Sequence, residues 1–260
     1  MHYQRTLNLK TVSRISICNI PVDALTMAET IHLIDKSIIE KRPIHHVVIN
    51  AAKVVNAQKD PVLKESIVSC DIINADGQAI VWASRLFNTA LPERVAGIDL
   101  MESLVKLSVQ KKYRIFFLGA TEEIVNTVVN FYSNQYGKEI IAGYRNGYFK
   151  KEEEQTVAKQ ISDSNADILF VAMSSPKKEI FLNTYKDIIQ TSFIMGVGGS
   201  FDVVAGHVKR APLWMQKSGL EWFYRVMQEP RRMWKRYLFG NTEFIYLVLK
   251  EKAKQIVSTK

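Results

Sequence analysis

Asp167-Ile168-Leu169-Phe170-Val171-Ala172-Met173, followed at once by Ser174-Ser175-Pro176-Lys177-Lys178-Glu179, is the stretch on which the fold turns. The apolar side chains from Ile168 to Met173 run without polar alternation, as in a strand buried on both faces, which needs helices above and below it. Ser-Ser-Pro then turns the chain and opens an amphipathic helical pattern over 177–189. Further strand candidates lie at 46–51, 71–75, 114–119, 140–144 and 193–197. Amphipathic stretches at 61–69, 78–87, 98–109, 122–136 and 151–162 separate them. This repetition predicts an α/β fold, a Rossmann-like, mostly parallel sheet flanked by helices. Ligands in such sheets bind beyond the carboxyl ends of the strands, so Asn50, Asp76, Gly119 and residues 174–178 and 198–202 are the positions to examine.

The chain's 260 residues are 47% hydrophobic and 23% charged, which excludes disorder, collagen-like repeats and low-complexity sequence. Residues 1–14 carry scattered charge and no apolar stretch, so no secretory signal is read there. No window approaches the ~18 uncharged apolar residues of a membrane span. Cys18 and Cys70 stand far apart without ligand spacing, and read as two reduced, partly buried thiols in a cytosolic protein.

The net charge is +9, which favours an anionic partner: nucleic acid, nucleotide-sugar or anionic lipid. That charge is concentrated. Residues 206–258 hold 11 Lys and Arg against 4 Asp and Glu, and they contain Trp214, Trp222 and Trp234 of the four Trp. We therefore expect an α/β domain over 1–205 and a basic, aromatic-rich helical appendage over 206–260 that packs on it. Glu229-Pro230 marks a helix start. Arg231, Arg232, Lys235 and Arg236 then fall within an arc of about 140°, opposite Met233, Trp234, Tyr237 and Leu238. Such a face suits a membrane surface or a phosphorylated ligand, and equally a solvated helix docked by its aromatics.

Several motifs fail. Gly196-Val197-Gly198-Gly199-Ser200-Phe201 has Phe201 where the dinucleotide fingerprint needs Gly or Ala, and it lies late in the chain. There is no P-loop, HExxH or GxSxG, and no Asp-x-Asp through which a sugar-nucleotide enzyme would hold a metal. A diphosphate here would have to be met by Arg and Lys. Two segments stand out. Asp76, in Asn74-Ala75-Asp76-Gly77, is either the N-cap of the helix near Gln78 or a carboxylate placed to take a proton from a sugar hydroxyl. Arg94, in Arg94-Val95-Ala96-Gly97-Ile98-Asp99-Leu100, is a surface residue or a phosphate ligand, and Asp99 is expected to cap the next helix. Ser174-Ser175-Pro176-Lys177-Lys178-Glu179 is a plain helix start or an anion-binding helix N-terminus.

Taken in order, these pieces resemble the bacterial glycosyltransferase family of teichoic-acid and enterobacterial-common-antigen N-acetylmannosaminyl-type enzymes, the WecG/TagA/CpsF family. The matching residues are Asn50, Asp60-Pro61, Asp76-Gly77, Arg94-Val95-x-Gly97-x-Asp99-Leu100, Pro176-Lys177-x-Glu179, Gly196-Val197-Gly198-Gly199-x-Phe201-Asp202 and Lys209-Arg210-Ala211-Pro212. Gly219-Leu220-Glu221-Trp222, Tyr224-Arg225 and Glu229-Pro230-Arg231-Arg232 continue the set.

The resemblance implies inverting, metal-independent transfer of a sugar, first choice N-acetylmannosamine, from a UDP donor. The acceptor would be the C4 hydroxyl of GlcNAc on undecaprenyl diphosphate, at the inner face of the cytoplasmic membrane, in teichoic-acid or surface-polysaccharide synthesis. It implies no cofactor and no nucleic acid, and leaves a homo-oligomer open. Asp76 would be the general base, and Arg94 would engage phosphate or acceptor. Asn50 and Lys178 would line the sugar pocket. Gly198, Gly199 and Asp202 would lie along the nucleotide, while Arg225, Arg231, Arg232 and Arg236 would reach the diphosphate and the bilayer. Two positions depart from the family pattern: Val48 replaces a Thr, and Lys178 replaces a Gln, changes that would bear on the sugar accepted. Glucose or a uronic acid in exopolysaccharide synthesis is the alternative donor. A basic nucleotide- or nucleic-acid-binding protein without transferase activity is the alternative of another class. A nicotinamide-dependent oxidoreductase lacks the early glycine fingerprint.

Overall fold

The computed structural model describes residues 12–258, apart from the side chains of 232, 233, 235–237 and 258. The chain opens with an antiparallel hairpin, β1 (Arg14–Ile17) and β2 (Ile20–Asp23). Cys18 and Asn19 form its two-residue turn with φ of 51° and 58°, a left-handed pair that matches the twist of the flanking strands. This hairpin is absent from the sequence reading, because no glycine follows Asn19 and Pro21 weakens the strand signal.

Helix α1 (Met27–Ile39) starts at a Thr26–Glu29 capping box. Strand β3 (Ile44–Ile49) leads through α2 (Ala51–Lys59) and α3 (Pro61–Val68) to β4 (Ile72–Ala75). Then come α4 (Gln78–Leu86), α5 (Gly97–Lys111), β5 (Ile115–Gly119), α6 (Glu122–Tyr136) and β6 (Ile141–Arg145). The core closes with α7 (Glu154–Asp163), β7 (Ile168–Ala172), α8 (Lys177–Ile189) and β8 (Phe193–Gly196). Strands β3 to β8 make one parallel sheet in the order β4-β3-β8-β7-β5-β6, so all six strand candidates pair as expected.

Alternate residues of each strand supply the two faces. Val48, Phe117, Phe170 and Met195 face the layer built by α1, α5 and α6. Val47, Ile49, Ile73 and Ala75 face α2, α3 and α4, while Phe116, Leu118, Leu169 and Val171 face α7 and α8. Phe117, Phe170 and Phe193 are wholly shielded, and burying a side chain of this kind contributes about 2–3 kcal/mol. Gly119 turns the chain at the end of β5 with φ of 124°, and a Cβ there would run into the Ala172 carbonyl.

Beyond β8 lie α9 (Ser200–Val204), α10 (Leu213–Lys217), α11 (Glu221–Gln228) and the long α12 (Pro230–Ser258). The second half of α12 docks on the core. Phe244 and Val248 are buried with the side chains of α2, and Lys59 pairs with Glu243 at 2.6 Å. The Cys18 amide also donates to Glu251 at 2.6 Å. Leu238, Phe239, Ile245, Tyr246 and Leu249 are exposed. Among the described residues, no helix is long and apolar enough to cross a membrane.

Candidate active site

Strand pairing carries Asp76 to its place. The residue follows the last position of β4, and its N–H donates to the Ile49 carbonyl at the end of β3, 2.9 Å away. Asn50 follows Ile49, so the two residues lie side by side beyond neighbouring strands. Gly77 allows this approach, since a Cβ there would come within 3.3 Å of the Asn50 Cβ. The Asn50 side chain caps α2, its Oδ1 accepting the Lys53 N–H at 3.0 Å.

Asp76 does not cap α4, whose N-cap is Gly77 with no side-chain bond. Its Oδ1 instead accepts the N–H of Gly97, the first residue of α5, at 3.1 Å. Val48, the apolar residue where a Thr is commoner, packs beneath Gly97. The loop before α5 is held to β4 by the Val95 N–H on the Ala75 carbonyl at 2.9 Å. The expected cap at Asp99 is corrected by this geometry. With the Gly97 N–H taken by Asp76, α5 starts three residues earlier, with Ala96 as its N-cap, and Asp99 lies in its first turn, paired with Arg210 at 2.6 Å.

Asp76 is a half-buried residue. Burial raises its pKa above the ordinary carboxylate value; the Gly97 N–H, Arg94 and Arg225 pull against that rise, and Glu221 adds to it. Arg94 Nη1 donates to Glu221 Oε2 at 3.0 Å, with both side chains largely shielded. The Nε of Arg210 lies 3.9 Å from the other Glu221 oxygen. Arg94 and Arg225 are thus within electrostatic reach of Asp76, and with Glu221 and Arg210 they make up a charged recess beside α11.

Lys178 lies elsewhere. It is buried at the start of α8, its stem filling the space left by the absent side chain of Gly196. Its ammonium lies 3.1 Å from Glu179 Oε1, which is also 3.1 Å from Lys53. Burial and Lys53 hold the Lys178 pKa down to about 8 against the pull of Glu179. Burial alone would raise Glu179, but Lys53 and Lys178 bring it to about 2. Lys53 donates in turn to the Val48 carbonyl at 2.9 Å, which links this buried triad to the turn that carries Asn50.

Gly198, Gly199 and Asp202 lie beyond β8. Gly198 has φ of 54° and open space where a Cβ would point, and Asp202 sits in the first turn of α9. No hydrogen bond or ion pair of the described residues joins these three to Asp76. Arg231 is exposed in the first turn of α12, and the side chains of Arg232 and Arg236 lie outside the described residues.

A family model described as "Glycosyl transferase WecG/TagA/CpsF family" matches residues 15–257. The chain belongs to that family. It is similar to an N-acetylglucosaminyldiphosphoundecaprenol N-acetyl-beta-D-mannosaminyltransferase of Bacillus subtilis (strain 168), 38% identical over 238 residues that cover 91% of each chain. An enzyme of the same name from Bacillus spizizenii (strain ATCC 23059 / NRRL B-14472 / W23) is 37% identical over 194 residues, 75% of this chain and 74% of its own.

Within the recess one carboxylate, Asp76, stands among the guanidinium groups of Arg94, Arg210 and Arg225. Three participants escape a reading by residue type alone: Arg210, Glu221 and the Gly97 N–H. Arg210 and Glu221 stand inside Lys209-Arg210-Ala211-Pro212 and Gly219-Leu220-Glu221-Trp222, so motif membership was the signal that could have found them.

Proposed function

We propose that this chain transfers N-acetylmannosamine from a UDP donor to the C4 hydroxyl of GlcNAc on undecaprenyl diphosphate, with inversion. The observation that carries the reading is Asp76, partly exposed at the end of β4 with Arg94 and Arg225 acting on it. Asp76 takes the proton of the acceptor hydroxyl. That oxygen bonds to the anomeric carbon from the face opposite UDP, and the carbon–oxygen bond to UDP breaks with its electron pair on the β-phosphate. Arg94 and Arg225 meet the charge that develops there.

The names and coverage of the two Bacillus relatives support N-acetylmannosamine as the sugar. So does the setting of the two departures. Val48 is buried under Gly97, and the Lys178 charge is taken up by Glu179, so neither adds a cation beside Asp76.

The appendage over 206–260 supports a peripheral place at the inner membrane face. Leu213, Trp214, Phe223, Met227, Leu238 and Phe239 are all exposed on its helices, interleaved with Arg and Lys.

The test is a panel of UDP-sugars assayed against a GlcNAc-diphosphate-lipid analogue, with wild type beside Asp76→Asn. UDP-N-acetylmannosamine should be the preferred donor, and D76N should lose about 10²–10⁴-fold in turnover. Near wild-type rates in D76N would remove the base assignment, and preference for UDP-glucose or a UDP-uronic acid would replace the donor.

A further inference from the structure

Glu221 is at once the partner of Arg94, at 3.0 Å, and the neighbour of Arg210, at 3.9 Å. It comes from α11, whereas Arg94 comes from the loop before α5 and Arg210 from the segment before α10. One carboxylate thus draws two guanidinium groups from separate parts of the chain to the recess that holds Asp76. Arg210 is only half satisfied. Its Nη1 pairs with Asp99 at 2.6 Å, while its Nε and Nη2 are shielded from solvent and have no hydrogen-bond partner among the described residues. Shielded donors without acceptors are costly, and they point to a ligand rich in acceptor oxygens. Among the described residues, Asp76, Asp99, Glu102 and Glu221 face Arg94, Arg210 and Arg225, four carboxylates to three guanidinium groups, so a dianion gains no net attraction while Glu221 stays in place.

We propose that Arg94 and Arg210 form one diphosphate subsite in which Glu221 is a built-in competitor, holding both guanidinium groups in position and yielding them to the phosphate oxygens. A planar guanidinium suits either a carboxylate or a phosphate through the same paired N–H donors, so the exchange preserves the geometry of the cradle. When Glu221 withdraws, the recess sheds one negative charge at the moment the diphosphate enters. When the nucleotide product leaves, Glu221 returns to its partners and so favours release. The inference rests on the transfer reading above, and adds to it the residue that tunes how tightly diphosphate is held.

Either substrate carries a diphosphate, and binding titrations separate them. Wild type, Glu221→Gln and Arg210→Gln would each be titrated with UDP, with a short-chain prenyl-diphosphate-GlcNAc analogue and with inorganic pyrophosphate, their folding checked by thermal melting. E221Q should bind the correct diphosphate about three- to tenfold more tightly, and R210Q about tenfold more weakly, by loss of a charge-assisted pair. The ligand that shows these opposite signs identifies the source. E221Q should also show stronger inhibition by UDP and a lower kcat if that source is the donor. A merely structural role for Glu221 weakens binding in both variants, and equal or weaker binding by folded E221Q for every ligand overturns the proposal. Should E221Q melt early, Glu221→Asp, which draws the carboxylate back by one methylene, should still bind more tightly than wild type, and its failure to do so is equally decisive. If wild type binds neither UDP nor the lipid analogue, the transfer reading fails, and pyrophosphate alone then decides whether the subsite exists.

Discussion

Asp76 carries a bond that an amide can keep. Its Oδ1 accepts the Gly97 N–H, so an Asn at this position retains the link between β4 and α5 while losing the basic site. Burial raises the Asp76 pKa in the folded chain, so the folded state binds this proton more firmly than the unfolded one. The ionised carboxylate therefore weakens the fold at neutral pH, and the penalty fades as pH falls through the raised value. We predict that D76N melts no lower than wild type at pH 7, although its turnover is lost; a clearly lower melting temperature would mean that the charge itself holds the loop. The base must be ionised to act, so the acid limb of kcat/KM should inflect above about 4, the ordinary carboxylate range. Asp76 was legible as a candidate because it follows a strand at a polar break. That Asp76 does not cap α4 was not legible, since the partner it takes instead, Gly97, lies on the far side of α4 and a loop.

At the scale of elements, the start of α8 shows how a local pattern is completed from a distance. The Pro-Lys-Lys-Glu turn reads as a helix start or an anion site, and the anion buried there is the chain's own Glu179, clamped between Lys53 and Lys178. Removing the one anion of this buried set leaves two cations uncompensated. Glu179→Gln should cost about 3 kcal/mol at pH 7 by chemical denaturation. Glu179 has its folded pKa lowered from 4.5 to about 2, so its contribution is complete above pH 4.5 and is lost as pH falls toward 2. The gap between E179Q and wild type should close over that window, and a gap that persists to low pH would assign the cost to packing. Lys178 has its folded pKa lowered to about 8, so its charged form weakens the fold at pH 7. Lys178→Gln should accordingly melt no lower than wild type, with Lys53 left as the partner of Glu179. The strands and most helices of the core were legible because each buries a face with its own period. The triad was not, because Lys53 on α2 and Glu179 on α8 lie far apart in sequence and are brought together by the pairing of β3 with β8.

For the whole molecule, the segment beyond β8 is tied to the α/β core at several specific points. Arg94 to Glu221 and Asp99 to Arg210 close the recess, and Phe244, Val248 and the Glu251 bond to the hairpin turn anchor the last helix. Truncation after Lys209 removes all the partners on the appendage side, and should abolish transfer to lipid-linked acceptor; an unchanged rate would make the appendage dispensable. Exposed apolar side chains beside basic ones predict reversible binding to anionic vesicles, at about 1 kcal/mol per well-placed cation. Co-sedimentation should fall steeply as salt shortens the screening length, to about 3 Å at 1 M, and binding insensitive to salt would point to apolar insertion alone. Charge segregation made the appendage legible, but not its docking face, because that face is shared between α12 and a hairpin some 200 residues earlier, as the 233-residue separation of Cys18 and Glu251 records.

That order along the chain bears on biosynthesis. Domains emerge from the ribosome amino terminus first and fold as units as they appear. Asp76 is synthesised about 145 residues before Glu221, but β8, which joins β3 to β7 in the sheet, precedes Glu221 by only about 25, so the sheet and the guanidinium cluster around the carboxylate are completed almost together. The cluster closes only near the end of translation, and a chain that is cut short is left without it.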